Sequence, residues 1–203
     1  MLLHETTPKT LLELAGVRLE APSLADAALV LIDYQNEYVS GALPLDGVDA
    51  AIGEASALLE RARTADTPIV HIAHKGGAGG LFDREAERGA IVDALAPRDG
   101  ETIIEKALPN AFAGTGLRDT LAATGHGSVI FAGFMTHMCL SSTVRAALDL
   151  GLSSTVVSRA CASRSLPGTD GEIVPGGAVH QVALAELADR FALIVPDAGA
   201  FKG

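Results

Sequence analysis

Three reactive side chains stand at or just beyond the ends of apolar runs: Asp33 after A-A-L-V-L-I, Lys106 after T-I-I-E, and Cys139 six residues after V-I-F-A-G. Brought to one point they would supply a proton acceptor, a fixed positive charge and a nucleophile, which together suit acyl transfer. Cys139 is the most informative. With Thr136 as an N-cap, the thiol falls in the first turn of a helix, where free N–H groups and the positive end of the dipole favour the thiolate. Asp33 precedes Tyr34-Gln35-Asn36-Glu37 and reads as a carboxylate drawn into a crevice, where desolvation raises its pKa and lets it shuttle a proton. Lys106 has the reach to set an ammonium beside an anion. Taken singly, each has a plainer reading, as a packed thiol, a turn aspartate and a surface lysine. Cys161 lies past a strand with no activating neighbour in sequence and reads as structural.

Those residues need a frame. Six apolar runs, at 28–33, 69–73, 102–106, 129–133, 154–158 and 192–195, alternate with helix-like segments. That order predicts an α/β fold with a largely parallel, buried sheet. Val48, Ile52, Ala55, Leu58, Leu59 and Ala62 keep a spacing near 3.6 and predict a covering helix over 48–63. Segments 116–123, 139–150 and 177–190 predict others, with Gly151 as a left-handed cap. In open parallel sheets ligands bind at the carboxyl ends of the strands, where all three reactive residues fall.

With 203 residues and 48% hydrophobic content, the chain has material for one core, so 1–203 reads as a single domain with 1–26 as an arm across it. No apolar run approaches the roughly 20 residues of a membrane span. Residues 1–14 carry Glu5, Lys9 and Glu13 in place of a secretory apolar stretch, so a cytoplasmic protein is expected. A formal charge of −10 with scattered basic residues argues against nucleic acid, and 4% aromatics against a stacking platform. Two cysteines outside any C-x-x-C pair argue against a disulfide framework or structural zinc. A small-molecule substrate is expected, and no cofactor. The run K-G-G-A-G-G at 75–80 lacks phosphate-cradle spacing and reads as a lid closing Phe82 over a pocket walled by Phe112.

The run G-F-M-T-H-M-C-L-S-S-T-V-R-A-A-L-D-L-G at 133–151 resembles the nucleophile signature of the isochorismatase-like cysteine hydrolases, within the nicotinamidase/isochorismatase superfamily. L-I-D-Y-Q-N-E-Y at 31–38 is similar to that family's D-x-Q block, and I-E-K-A-L-P-N-A-F-A-G-T-G-L at 104–117 to its lysine block. The resemblance spans 28–196. It implies a three-layer α/β/α sandwich on a six-stranded, mostly parallel sheet, assembled as a homodimer or larger homo-oligomer. It implies a triad of Asp33, Lys106 and Cys139, a cis peptide at Phe134–Met135, and an oxyanion hole from the Met135 and Cys139 amides. The implied reaction is hydrolysis of a small amide, lactam or ureido bond through a thioester. Gln35, His74, Phe82, Phe112 and Phe134 are the expected substrate contacts.

Some positions depart from relatives. The nicotinamidase D-x-H metal motif has no counterpart, because V-H-I-A-H-K at 70–75 holds no carboxylate. His71 and His74 should fall on opposite faces of a strand, so no metal is expected. Cys139 argues against the vinyl-ether chemistry of isochorismatases proper, and the intact trio against a non-catalytic binding protein; both remain alternatives. Asn110 stands where many relatives carry Ser, and Arg159-Ala160 where Asp-Ala is usual.

Overall fold

The computed structural model describes residues 7–202. The first six residues of the expected arm lie outside them. Along the chain run α1 (Leu11–Leu14), β1 (Ala27–Ile32), α2 (Val48–Thr64), β2 (Ile69–His74), β3 (Thr102–Lys106), α3 (Leu117–Thr124), β4 (Ser128–Gly133), α4 (Ser141–Asp149), β5 (Ser153–Val157), the two-residue strands β6 (Leu166–Pro167) and β7 (Ile173–Val174), α5 (Gly176–Arg190) and β8 (Leu193–Val195).

Six strands form one sheet in the order β3-β2-β1-β4-β5-β8, every pairing parallel. β1 shows why the sheet lies in the middle of three layers. Its alternate residues serve two cores: Leu29 and Leu31 pack with Leu58 and Leu59 of α2, while Val30 and Ile32 pack with Leu121 of α3, Val144 of α4 and Leu187 of α5. Burying each such side chain contributes about 1.5–3 kcal/mol, so a central strand apolar at every position is held from both faces. The chain leaves β1 toward β2 on one side and reaches β4 on the other. Between the ends of β1 and β4 lies the crevice of a topological switch point.

Two local expectations are corrected. The sheet is not buried throughout, because β3 is an edge strand with Ile103 50% exposed, and only Lys106 at its end is enclosed. Between β5 and α5 the chain also forms a small hairpin, in which β6 and β7 pair antiparallel around a turn where Gly171 takes φ 87°. The arm carries an unforeseen helix, α1, whose capping box pairs Thr10 Oγ1 with the Glu13 amide (3.1 Å) and Glu13 Oε2 with the Thr10 amide (2.8 Å). The Leu11 amide then docks it by donating to Asp189 Oδ1 of α5 at 2.9 Å. Among the described residues no helix is long and apolar enough to cross a membrane.

Candidate active site

β1 delivers Asp33, which leaves the strand with φ 54°, a left-handed conformation that Asp adopts more readily than most side chains. Its amide donates to Ile72 O of β2 at 2.9 Å, which fixes the turn against the sheet. From the end of β3, Lys106 reaches inward. Its Nζ lies 2.7 Å from Asp33 Oδ2, 3.1 Å from His74 Nδ1 and 3.2 Å from Cys139 Sγ. Asp33, Lys106 and Cys139 are 0%, 2% and 4% exposed. The Asp33–Lys106 contact is close but off-axis, since neither carboxylate oxygen has a donor in hydrogen-bonding alignment.

Cys139 arrives on a bend rather than at an ordinary helix start. The Phe134–Met135 peptide is cis. Residues Thr136–Leu140 then make a wide turn, in which Leu140 N donates to Met135 O at 3.3 Å, before α4 begins. Thr136 is therefore not an N-cap. Its amide and hydroxyl hold Ala162 O at 2.9 and 3.0 Å, and the hydroxyl also meets His180 Nδ1 at 2.8 Å. Thr143 braces the turn from α4, donating to Cys139 O (2.7 Å) and accepting from Ala111 N of the lysine block (3.0 Å). The Met135 amide meets no acceptor among the described residues.

Electrostatics follow from enclosure. Burial pushes the Cys139 thiol up to about 12, Asp33 adding to the rise and Lys106 opposing it. The expected resting thiolate is thus corrected, because desolvation and a neighbouring carboxylate outweigh the favourable charges. Burial likewise raises Asp33, against the pull of Lys106, Cys139 and His74. Burial and then the Lys106 charge hold His74 below its usual value, Asp33 opposing. Asp33, His74 and Cys139 offer ligand atoms within 4.8 Å of one another. The Lys106 ammonium already lies within 3.2 Å of an atom of each, so a metal among these donors would have to displace it.

A sequence profile of the Isochorismatase domain matches residues 27–196. The chain belongs to the isochorismatase family. The secreted isochorismatase effector Isc1 of Verticillium dahliae is 36% identical over 181 residues, which are 89% of this chain and 93% of that protein. A maleamate amidohydrolase of Pseudomonas putida is 32% identical over 151 residues, 66% of this chain and 70% of its own length. The crystal structure of an isochorismatase from Pseudomonas putida KT2440 is similar with a TM-score of 0.92 at 40% identity, covering 97% of this chain and all of that one.

In this isochorismatase-family hydrolase the expected contact residues divide. His74 is half-buried beside Lys106, with the Phe82 ring 5.0 Å from its own. Phe112 is partly buried over the core shared with α3 and α4. Gln35 is fully enclosed and spends its amide on backbone: it accepts from His74 N (2.8 Å) and donates to His74 O (2.9 Å) and Gly89 O (2.8 Å). It is a clamp on the end of β2, with its side-chain amide taken up by backbone groups. Phe134 is also fully enclosed, its ring 4.6 Å from Tyr34 and 5.7 Å from Tyr38, so it belongs to the core on the α2 side. The 75–82 segment is tied down, unlike a free lid. Gly76 N donates to Phe82 O (3.0 Å), Gly79 N to Asp83 Oδ2 (2.7 Å) and Phe82 N to Glu37 Oε2 (3.1 Å). His71 points away from the site and meets Glu101 at 2.8 Å. Arg159 pairs with Asp197 at the surface.

Sequence reasoning missed Thr143, His180, Glu37 and Arg164. A hydroxyl or imidazole that fastens one loop to another leaves no periodic signal, since its partner is distant in sequence. Arg164 has no acid within ion-pair distance among the described residues, and its Nε is enclosed without a partner. Its charge reaches His137 and the Tyr38 hydroxyl, and the latter also feels Asp33 and Cys139.

Proposed function

We propose that this hydrolase cleaves the C–N bond of a small amide, lactam or ureido compound through a thioester on Cys139. One observation carries the reading: a buried ammonium bridges a carboxylate at 2.7 Å and a thiol sulfur at 3.2 Å beside the switch-point crevice. Amidohydrolase activity in a relative supports the bond type.

In this scheme Asp33 takes the thiol proton as the sulfur attacks the carbonyl carbon. Because the thiol stands near 12 and Asp33 is itself raised, proton transfer accompanies attack instead of preceding it. The tetrahedral oxyanion is received by the Met135 and Cys139 amides, and such donors contribute about 3 kcal/mol each. Asp33 then returns the proton to nitrogen, and the C–N bond breaks to release ammonia or an amine. Water attacks the thioester while Asp33 accepts its proton; the acid departs and the thiol is restored. Lys106 keeps carboxylate and sulfur in register throughout. His74 and the Phe82 and Phe112 rings border the substrate, and the unpaired Arg164 supports one that carries a carboxylate. The scheme uses no metal or cofactor.

We also propose a cytoplasmic homo-oligomer. The family resemblance supports the assembly, as does an exposed apolar group of Ile173, Val174 and Val182.

The test is release of ammonia or amine over a panel of maleamate, ureidoacrylate, N-carbamoyl acids, nicotinamide and lactams. Cys139→Ala and Asp33→Asn should each fold and lose at least 1,000-fold in kcat, in line with effects of about that size for removal of members of such a group. Near-native turnover by the cysteine variant would remove the covalent scheme.

A further inference from the structure

We propose that His74 is a fourth working residue of this site, a neutral imidazole whose Nδ1 holds the Lys106 ammonium in place and whose Nε2–H is presented to an acceptor atom of the substrate. The inference deepens the hydrolase reading and rests on it only for the second role.

An ammonium has three N–H donors and no acceptor. Lys106 has three side-chain neighbours at contact distance, Asp33 Oδ2 at 2.7 Å, His74 Nδ1 at 3.1 Å and Cys139 Sγ at 3.2 Å. His74 Nδ1 and Cys139 Sγ meet it in hydrogen-bonding alignment, while Asp33 Oδ2 stands against it off-axis as an ion pair, and an ammonium can only donate to either partner. His74 Nδ1 must then carry the lone pair, which puts the ring proton on Nε2. A charged imidazole would set two donors and two positive charges face to face. Burial and Lys106 both disfavour that form, and Asp33 alone opposes them.

The far nitrogen has no protein partner among the described residues, and it is not one of the enclosed unpaired atoms, as His137 Nε2 is. It is a donor on the open side of a half-buried ring. Asp33, Lys106 and Cys139 are almost wholly enclosed by contrast. His74 is therefore the member of the cluster that can meet a ligand without moving the others.

The ring is also held for this purpose. Gln35, 0% exposed, bonds both backbone groups of His74, and the Phe82 ring lies tilted against the imidazole, centroids 5.0 Å apart and planes at 59°. Locking a side chain by its own backbone and by a neighbouring ring is what a residue with a fixed donor direction requires. A histidine that merely filled space would need neither.

Two measurements decide the first role without any substrate. Long-range proton–nitrogen NMR on the native protein, with His74 assigned from the spectrum of His74→Gln, should report the Nε2–H tautomer at pH 7. An Nδ1–H or charged ring would overturn the proposal. Alkylation of Cys139 by iodoacetamide at pH 8, mapped by peptide mass spectrometry, should slow about tenfold in His74→Ala, because the ammonium drifts from the sulfur. It should stay within threefold of native in His74→Asn, whose amide oxygen reaches the Nδ1 position. Equal rates in all three proteins would show that His74 does not hold Lys106.

The second role is read on whichever amide of the panel the native enzyme hydrolyses. His74→Asn should raise KM at least tenfold with kcat within threefold, and an unchanged KM would remove the substrate contact. If no amide is hydrolysed, the hydrolase reading fails and takes the substrate role with it, while the NMR and alkylation results still decide the positioning role.

Discussion

Lys106 is a single positive charge shared by two groups that compete for a proton. Asp33 raises the Cys139 thiol and Lys106 lowers it, so the carboxylate both restrains ionisation and accepts the proton when it leaves. These two effects separate in Asp33→Asn. With the negative charge gone and Lys106 in place, the thiol should titrate lower, and iodoacetamide should modify Cys139 at pH 7.5 several-fold faster than in the native protein. Turnover should nevertheless collapse, since nothing remains to protonate the leaving nitrogen. Misfolding would expose both thiols, so Cys161, equally enclosed and far from Asp33 in sequence, is the control: faster labelling confined to Cys139, with Cys161 as slow as in the native protein, is a result that misfolding does not give. If labelling and turnover fall together, Asp33 is not the restraint that the geometry makes it. The reactive residues themselves were legible in sequence because Asp33 follows β1, Lys106 ends β3 and Cys139 stands six residues past β4, and the carboxyl ends of strands in a parallel sheet converge. The charge state of Cys139 was not. A helix start suggested a thiolate, but the sulfur's enclosure is set by packing from β1, β3 and α4 together, which no local window contains.

At the level of elements, the segment between β2 and β3 shows how a glycine-rich run can mislead. Sequence suggested a free lid. In the structure Glu37, fully enclosed, receives Arg88 through two contacts of 2.6 Å, the Ala42 amide at 2.7 Å and the Phe82 amide at 3.1 Å. Arg88 leads the interactions that hold Glu37 down to about 2. The glycines serve close approach here: a Cβ on Gly76 would lie 1.8 Å from Leu81 O, and one on Gly89 2.0 Å from Asp83 O. Glu37 lies in the same sequence block as Asp33 and Gln35, so one short stretch supplies a reactive carboxylate, a clamp on His74 and an anchor for Phe82. Only the first could be read beforehand, because the partners of the other two lie about 40 to 50 residues away. Glu37→Gln should cost about 2–3 kcal/mol, the scale of a buried charge-assisted bond lost, while preserving side-chain volume. Denaturant unfolding would measure the loss, and amide hydrogen exchange should rise at Gly76 and Phe82 first. Stability within 0.5 kcal/mol of native, a margin typical of surface changes, would mean that the anchor is idle.

The whole molecule inherits a stability window from the groups it encloses. His71, His74, His137 and His180 are all held below 6.5 by burial, although Glu101 opposes this at His71. The unfolded chain therefore binds protons first on acidification, and stability begins to fall below about pH 6.5. Glu37 and Glu101 extend the loss. Burial pushes Glu101 up, but Arg63, the Arg98 amide and His71 bring it down to about 2. Each glutamate is displaced from 4.5, and at 1.36 kcal/mol per pH unit each contributes about 3 kcal/mol above pH 4.5 that vanishes toward pH 2. Cys139 and Cys161 act at the other limit. Burial raises both from 9.0 to about 12, so the unfolded chain releases their protons first and stability declines above pH 9. Tyr34 and Tyr38 are raised by burial and add to that decline. Asp33 runs against the acid limb: raised in the fold, its enclosed charge is relieved by protonation, and Asp33→Asn should remove that relief. Thermal melting followed from pH 3 to 11 should thus plateau between about 6.5 and 9, fall gently to 4.5, then steeply. A melting temperature that rises from pH 7 to pH 5 would mean that the relief at Asp33 exceeds the histidine and glutamate losses, and that the buried charge at the site dominates the stability of the chain.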